Sequence, residues 1–495
     1  MANLKALLKD TVIYGVSSIV GRFLNYLLVP LYTFKISAES GGYGVVTNLY
    51  AYTALILVIL TFGMETTFFR FANKEGADAR KVFSSSLFVV TALSLVFLAA
   101  ISGFITPICN TLGKIYTQHH EYVLLMASCV VLDAIQAIPF SYLRYKKRPI
   151  KFASLKLLFI FLNIGLNLLY FIVLPNIYAK NPEAVSAIYD PNVGAGYVFI
   201  LNFICTSFIT FFFVKEFRDI KFVFDKQLLR QMFSYSWPIL VLGIAGILNQ
   251  AADKIIFPLV YPDEDQAQQQ LGIYGACVKI AMIMAMITQA FRYAYEPFVF
   301  GNDKDKNSKE SYALAMKYFI VFTLLAFLAV IGYMDILQRI IGPGYREGLK
   351  VVPIVMAAEI MMGITFNLSF WYKLVDKTLW GAVISISGCI VLFIVNLVFI
   401  PKFSYMACAW GGFAGYATTM LLSYFLGQKY NPVNYPLKDI ALYTLFAVAL
   451  FVAMTLLPKE WSPLMRIAVN TLLILLFAAL IVIKDIMPAL RRRRK

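Results

Sequence analysis

Apolar runs long enough to cross a lipid bilayer recur along the whole of this 495-residue chain. A helix needs roughly 20 apolar residues to cross about 30 Å of hydrocarbon. Because hydrocarbon offers no partner for backbone N–H and C=O groups, runs of this length are expected to be helices. We therefore predict an all-α polytopic membrane protein with fourteen transmembrane helices, called spans 1 to 14, at residues 11–34, 43–66, 82–108, 121–143, 152–175, 194–214, 233–260, 272–300, 312–334, 350–372, 379–400, 405–426, 438–457 and 464–484.

The composition excludes an ordinary water-soluble protein. Hydrophobic residues make up 60% of the chain, and charged residues only 14%. A typical soluble domain carries about 25% charged residues. The connections between the runs are too short to fold as separate soluble domains. Span 1 is too long for a cleaved signal peptide and contains Arg22.

The net charge of +17 is distributed unevenly between the two sides of the predicted membrane. With the N-terminus in the cytoplasm, 29 of the 44 Lys and Arg residues fall in cytoplasmic loops and tails. This bias predicts that both termini are cytoplasmic. The strongest basic segments, 144–148 and 491–495, suit attraction to anionic membrane lipids better than binding to nucleic acid.

A segment of the chain occurs twice. Residues 43–69 and 274–300 each begin with a Tyr-Gly pair, followed 22 residues later by Glu and then by Phe. Weaker matches extend the duplication, so that spans 1–6 correspond to spans 7–12. An even number of spans in each repeat predicts two lobes related by an axis along the membrane normal, around a central cavity. The predicted divisions are an N-lobe at 1–220, a C-lobe at 221–430, and spans 13 and 14 with a basic tail at 431–495.

Three spans carry a polar face within their apolar sequence. An ionisable group in hydrocarbon is costly and normally faces the interior of a helix bundle. We therefore expect these faces to meet in one hydrated, cationic chamber that binds a substrate. Arginine binds two phosphate oxygens through its planar fork and stays charged, which makes the cations candidates for holding a phosphate group. The polar residues are Arg22 and Asn25 in span 1, Asn249, Gln250, Asp253 and Lys254 in span 7, and Gln289, Arg292 and Glu296 in span 8.

Two of these residues have an alternative role. Lys254 can pair with a carboxylate elsewhere instead of binding substrate. Glu296 lies one helical turn after Arg292, and we expect it to support that arginine structurally rather than bind substrate.

Isolated carboxylates in the spans form a second group of candidates. Asp133 in span 4 and Glu359 in span 10 occupy corresponding helices of the two repeats, and Asp253 lies in span 7. Such groups can carry a coupling proton or sodium ion, or they can balance the cations of the chamber.

Metal and cofactor chemistry is not indicated by the sequence. The six cysteines lie in or beside apolar runs without a Cys-x-x-Cys pair, which is typical of small core residues. The only histidines, His119 and His120, are neighbours without further ligands nearby. We expect no metal, no cofactor and no enzyme activity. A membrane glycan polymerase or ligase remains an alternative from another class, although the 175–193 loop is short for such an enzyme.

Several short motifs occur in a distinctive order: Val16-Ser17-Ser18, Arg22, Pro30, Tyr43-Gly44, Phe62-Gly63, Arg70, Arg346-Glu347-Gly348, Val351-Val352-Pro353-Ile354, Lys377-Thr378, Asn396-Leu397 and Pro401. Together they resemble Wzx-type polysaccharide flippases, the O-antigen and capsule transporters. These belong to the multidrug/oligosaccharidyl-lipid/polysaccharide exporter superfamily. The resemblance covers essentially the whole chain. The chain departs from it at 406–410, where family members often show a Gly-Ala-Ala run.

The resemblance implies a function in lipopolysaccharide or capsule assembly. Such flippases use alternating access to move an undecaprenyl-pyrophosphate-linked oligosaccharide from the inner to the outer leaflet of the bacterial cytoplasmic membrane. A lipid-linked oligosaccharide is then the expected partner, with the glycan polymerase machinery as another. Arg22 and Arg292 fall in the helices whose arginines contribute to the cavity of related lipid II flippases, which also use spans 13 and 14 as a lipid groove. A lipid II flippase and a multidrug exporter remain alternatives within the superfamily.

Overall fold

The structure is a computed structural model that describes residues 26–221, 225–301, 308–374, 377, 379–458 and 460–488. Within these ranges the regular secondary structure is helical throughout, and no β-strand occurs. Eleven of the described helices are long and apolar enough to cross a membrane. The prediction of an all-α, multi-pass membrane protein is confirmed.

Helices lie at the positions of predicted spans 2 to 14. Only the last part of span 1 is described, as the helix Leu28–Lys35. Span 6 is a shorter apolar helix, and span 12 has the length to cross but is not among the eleven apolar ones. In chain order, the helices of spans 2 to 14 are Gly42–Thr61 with Met64–Ala72, Ala79–Gly103, His120–Tyr145, Pro149–Leu168, Gly196–Phe211, Lys226–Val260, Glu264–Gly301, Ser308–Gly332, Val352–Leu368, Leu379–Phe403, Tyr405–Tyr430, Leu437–Thr455 and Pro463–Ile481.

The described helices are joined by shorter helical pieces. Span 5 continues through a π-helical turn, Leu169–Val173, into Leu174–Lys180, and span 14 ends in the π-helical turn Val482–Ile486. A 3₁₀ segment, Pro343–Val351, leads into span 10. The other connecting pieces are Ile105–Leu112, Lys114–Gln118, Pro182–Ala184, Pro191–Val193, Val214–Phe217, Met334–Leu337, Gln338–Ile340 and Phe370–Leu374.

The chain packs as two compact units. The first unit comprises residues 1–275 and 393–408, and the second comprises residues 276–392 and 409–495. Span 8 belongs to both, because its first residues pack within the first unit and the rest within the second. The boundaries of the predicted lobes stay a prediction.

The core of the first unit is built around aromatic side chains. The rings of Phe83 and Tyr142 stack with centroids 4.2 Å apart, and Phe68 packs edge-on against both. All three side chains are almost completely buried. They fix the relative positions of spans 2, 3 and 4, because large aromatic side chains bury much area and prefer defined ring geometries.

The duplicated Tyr-Gly pairs bring span 2 against the start of span 8. A Cβ atom added to Gly44 would lie 1.7 Å from the backbone oxygen of Gln268, and one added to Gly275 would lie 2.5 Å from Thr47 Oγ1. Helices approach this closely in membranes only where small residues leave room for the partner. The best-matching part of the repeat therefore marks a contact between its two copies.

Charged residues form ion pairs at one end of the first unit. Lys146 donates a hydrogen bond to Asp219 at 2.5 Å, and Lys81 donates one to Asp225 at 2.7 Å. The hydrogen bond from Lys146 holds the pKa of Asp219 below its usual value, and Tyr142 contributes a second hydrogen bond. The hydrogen bond from Lys81 likewise lowers the pKa of Asp225. This is the cytoplasmic end in the predicted topology.

A buried polar network joins spans 13 and 14 to span 9 within the second unit. Lys317 donates hydrogen bonds to Asp485 at 2.5 Å and to Asp439 at 3.0 Å. Tyr443 donates to the other oxygen of Asp485, and Lys484 donates to the other oxygen of Asp439. The Lys317 and Asp485 side chains are each 7% exposed. Two cations and two anions balance here, which permits their burial.

The opposite end of span 14 is joined to span 9 by further polar contacts. Arg466 pairs with Asp335 at 3.0 Å, and the Asn470 side-chain amide donates to the backbone oxygen of Gly332 at 2.8 Å. Apolar side chains drive little helix association in lipid, so interhelical polar contacts of this kind contribute to holding the helices together. Polar contacts therefore join span 14 to span 9 at both ends of span 14.

Candidate functional site

The predicted site residues fall into three groups. Arg22 and Asn25 lie outside the described residues. Gln250, Asp253 and Lys254 lie in the first unit, together with Asp133. Gln289, Arg292, Glu296 and Glu359 belong to the second unit.

The polar face of span 7 is organised around Asp253. This side chain is buried and accepts a hydrogen bond from the Tyr274 hydroxyl at 2.6 Å. The Lys254 ammonium folds back along the helix and lies 3.0 Å from both oxygens of Asp253. The charge of Lys254 is thus paired with its own sequence neighbour. Asn249 is buried on the same helix, and Gln250 is exposed.

Asn48 of span 2 supports this cluster from the side. Its amide nitrogen donates to the backbone oxygen of Lys254 at 2.7 Å, and its amide oxygen accepts from the Tyr116 hydroxyl at 2.6 Å. Pro258 lies four residues after Lys254 and has no N–H to bond that oxygen within the helix. Asn48 therefore supplies the hydrogen bond that the proline removes.

In the second unit, Arg292 is exposed on span 8 and lies against an aromatic ring of span 10. Its guanidinium carbon is 4.7 Å from the centre of the Phe366 ring. The Lys373 ammonium lies 5.1 Å from the same ring. A ring face attracts cations, so Phe366 holds two positive charges in one place. Gln289 is half-buried one turn before Arg292, and Glu359 is half-buried on span 10.

Asp133 lies near a cation of the first unit. The charges of Asp133 in span 4 and Lys156 in span 5 interact. The Lys156 ammonium is also 4.1 Å from the centre of the Phe140 ring. Lys156 is thus a cation available to balance Asp133, the counter-charge role that the sequence left open for this carboxylate.

The sequence interpretation missed four residues around these clusters: Asn48, Tyr274, Lys156 and Lys373. In the sequence, Tyr274 stands out only as part of the repeat. Asn48 and Lys156 lie inside apolar runs, the same signal that identified the other candidates. The sequence of one apolar run does not show which side chains of other helices contact these residues.

The two clusters offer complementary chemistry within their own units. The cluster around Asp253 is a hydrogen-bonded carboxylate–ammonium pair in which the two charges balance each other. The cluster around Phe366 presents a guanidinium and an ammonium, which suit the oxygens of a phosphate or pyrophosphate. Glu296 lies within the helix of span 8 one turn after Arg292.

Comparison with known sequences points to glycan assembly. A family model described as polysaccharide biosynthesis protein matches residues 7–294. Protein 1 of the Lsg locus of Haemophilus influenzae is 20% identical over 436 residues, which cover 85% of this chain and 98% of that protein.

Comparison with solved structures identifies the fold. The lipid II flippase MurJ, in an inward closed conformation, superposes with a TM-score of 0.74 at 14% identity, covering 96% of this chain and 100% of that one. The multidrug transporter DinF-BH of the MATE family gives a TM-score of 0.59 at 16% identity, covering 86% and 95%. An inward-facing multidrug resistance MATE transporter of the MOP superfamily gives 0.57 at 13% identity, covering 83% and 94%. At these identities the likeness concerns the fold.

Proposed function

This chain belongs to the polysaccharide biosynthesis protein family, and we propose that it is a flippase for an undecaprenyl-pyrophosphate-linked oligosaccharide. Its fold is that of membrane transporters, and family and fold together indicate a flippase or exporter rather than an enzyme. The proposed direction is from the inner to the outer leaflet of a bacterial cytoplasmic membrane. The observation that carries the proposal is the family match combined with a lipid flippase fold over 96% of the chain.

A cationic route for the head group is the central physical element of the proposal. Sugars and phosphates cannot cross hydrocarbon, so the head group requires a hydrated polar path while the lipid tail stays in the bilayer. The proposed binding residues are Arg22, Asn25, Gln250, Lys254, Gln289 and Arg292. The cation pair around Phe366 supports the assignment of Arg292, because it concentrates positive charge where a pyrophosphate would be held.

Two lobes that alternate between inward-open and outward-open states would carry the head group across. The proposed lobes are residues 1–220 and 221–430, with both termini in the cytoplasm. Spans 13 and 14 would guide the lipid tail, and their polar attachment to span 9 supports a hairpin that moves together with span 9. The glycan polymerase machinery is the proposed acceptor of the product.

The membrane potential is the proposed source of energy. Moving one charge through 100 mV is worth about 2.3 kcal/mol, so a head group with two negative charges gains roughly 4–5 kcal/mol on leaving an inside-negative cell. A cation carried by Asp133, Asp253 or Glu359 would reduce that gain. Tyr274 and Lys254 both donate hydrogen bonds to the Asp253 carboxylate, so a coupling cation would have to displace the Lys254 ammonium there. Glu296 is assigned to the support of Arg292.

Reconstitution provides the direct test. The purified protein is placed in vesicles whose inner leaflet carries a polyprenyl-pyrophosphate oligosaccharide with a fluorescent sugar, and a membrane-impermeant quencher is added outside. Quenching should increase with time in vesicles that contain the protein, whereas the fluorescence of protein-free vesicles should stay at its starting level. An imposed inside-negative potential should accelerate it. Equal quenching with and without protein would contradict the proposal.

A lipid II flippase is the second candidate, favoured by the structural likeness to MurJ. The two functions differ in the lipid-linked precursor that accumulates when the protein is depleted. We expect accumulation of an undecaprenyl-linked repeat unit and loss of surface polysaccharide, with normal growth. Accumulation of lipid II with cell lysis would favour the second candidate instead.

A further inference from the structure

The first unit contains a pocket at the ends of spans 2 and 7. The sequence did not predict this pocket, and the proposed transport path does not use it. It is an open pocket with a volume of about 470 Å³, lined by Arg70, Phe71, Lys74, Arg230, Gln231, Ser234 and Tyr235. The first three of these residues come from the last turn of span 2 and the loop after it. The other four come from the second and third turns of span 7. In the proposed topology both helix ends face the cytoplasm.

Three cations face this space, namely Arg70, Lys74 and Arg230. Among the described residues, no acidic side chain lines the pocket or pairs with Arg70, Lys74 or Arg230. Several other basic residues at the same end of the unit do form ion pairs, such as Lys146 with Asp219 and Lys81 with Asp225. A local excess of three positive charges is therefore concentrated in this pocket.

Aromatic rings fix the orientation of two of the cations. The guanidinium of Arg70 lies 4.1 Å above the ring of Tyr235, and the ammonium of Lys74 lies 4.0 Å from the ring of Phe71. The rings of Phe71 and Tyr235 pack edge-on at 6.2 Å, and Phe71 is buried in the core of the unit. Stacking covers one face of a guanidinium and leaves its N–H groups at the edge for a ligand.

Neutral hydrogen-bonding groups complete the lining. Arg230 and Ser234 are four residues apart on span 7, as are Gln231 and Tyr235, so all four side chains lie on adjoining faces of one helix. Cationic forks combined with hydroxyl and amide donors match the oxygens of a phosphate group.

We propose that this pocket binds the phosphate of a lipid head group at the membrane surface. The chemistry is shared by two sources, an anionic phospholipid of the bilayer and the pyrophosphate of the polyprenyl carrier before it enters the transport path. The second source deepens the proposed function and rests on it, whereas the first does not. A basic pocket at a helix end at the membrane surface also suits an anionic head group electrostatically.

The test compares two variants with equal loss of charge. Arg70→Gln, Lys74→Gln and Arg230→Gln are combined in a pocket variant, and Lys215→Gln, Arg218→Gln and Lys226→Gln in a control variant whose residues line no part of the pocket. The full chain in detergent is mixed with phosphatidylglycerol, phosphatidylcholine or undecaprenyl pyrophosphate, and lipid adducts are counted by native mass spectrometry.

The pocket variant should bind an anionic lipid roughly 100-fold more weakly than the wild type, since each cation at a membrane surface contributes about a factor of five. The control variant should stay within a few-fold of the wild type, and phosphatidylcholine should show no preference. Loss of phosphatidylglycerol adducts alone identifies a bilayer lipid, and loss of undecaprenyl pyrophosphate adducts alone identifies the carrier. Equal binding of both lipids by both variants overturns the proposal.

A measurement on the wild-type protein covers the case in which the pocket variant does not fold. Acetylation of Lys74 is followed by peptide mass spectrometry in vesicles of phosphatidylcholine with and without phosphatidylglycerol, and in detergent with inorganic pyrophosphate. Lys74 should be protected by the anionic additions, and Lys215 should not. Unchanged acetylation of Lys74 overturns the proposal. Because neither experiment measures transport, failure to flip a glycolipid would leave these outcomes unaffected.

Discussion

The Lys317 ammonium of span 9 lies 2.5 Å from the Asp485 carboxylate of span 14, and both side chains are only 7% exposed. Asp485 lies in the π-helical turn that ends span 14. A π-helical turn inserts an extra residue into a helix and is often retained where it positions a functional side chain. In this protein the π-helical turn contains Asp485, whose carboxylate accepts the hydrogen bond from Lys317. Within the second unit, the hairpin of spans 13 and 14 is therefore joined to span 9 by a specific ion pair.

Replacement of Lys317 by Gln should release this hairpin. The change leaves the buried Asp485 without its cation, which in other proteins costs about 3–5 kcal/mol. We expect a lower thermal midpoint in detergent and faster hydrogen exchange in spans 13 and 14. The matched control is Lys484→Gln, because Lys484 belongs to the same network but is 32% exposed. Equal effects of the two substitutions would show that burial of the Lys317 pair does not matter.

The close approach of spans 2 and 8 should make Gly44 intolerant of a side chain. In Gly44→Ala, the new methyl group would overlap the backbone oxygen of Gln268, which cannot move without the helix. We expect a loss of stability of about 1–3 kcal/mol, the usual cost of overpacking, seen as a lower thermal midpoint.

The control for this substitution is Gly165→Ala in span 5, where an added Cβ would meet no atom within 4 Å. Alanine favours the helix over glycine by up to about 1 kcal/mol, so this variant should be at least as stable as the wild type. A tolerated Gly44→Ala would mean that the two copies of the Tyr-Gly pair do not pack as the structure shows.

Asn48→Leu in span 2 should destabilise span 7. The substitution leaves the backbone oxygen of Lys254 and the hydroxyl of Tyr116 without the partner that Asn48 provides, at about 1–3 kcal/mol for each buried polar group. We expect a lower thermal midpoint and faster hydrogen exchange around Pro258. Asn73→Leu removes a similar amide bond at an exposed site and should change little. If Asn48→Leu were harmless, another group would have to satisfy the oxygen that Pro258 leaves unbonded.

The sequence predicted the helices well and their partners poorly. Apolar length alone located spans 2 to 14, because a bilayer forces each run into a helix with internal backbone hydrogen bonds. The repeat indicates that residues 43–69 and 274–300 are equivalent, but the contact of Gly44 with Gln268 depends on how the helices pack. Likewise, Lys317 and Asp485 are 168 residues apart, and their pairing depends on how the helices pack.

The ion pair between Lys146 and Asp219 should make the stability of the first unit depend on pH. The folded pKa of Asp219 lies below its unfolded value of about 3.9, so its stabilising contribution is present above that value and is lost as the pH falls through the folded pKa. Asp219→Asn should therefore lower the thermal midpoint at pH 7, and the difference from the wild type should narrow as the pH falls below about 4.

The exposed Glu183 provides the control for this pH dependence. Glu183→Gln should leave the thermal midpoint unchanged at both ends of the range. A difference between the wild type and Asp219→Asn that stays constant from pH 7 to pH 3 would show that the charge of Asp219 does not contribute to stability.

Arg292→Ala should reduce the amount of surface glycan at an unchanged level of protein in the membrane. If the guanidinium beside Phe366 holds a pyrophosphate through two hydrogen bonds, its removal should lower the rate of flipping by roughly 10-fold or more. Arg292→Lys keeps the charge but loses the planar fork, and an intermediate rate is expected. The control is Arg339→Ala, at an exposed arginine of the same unit. Flipping at the wild-type rate in Arg292→Ala vesicles would remove this arginine from the transport path, because a group that binds the head group cannot be dispensable for moving it.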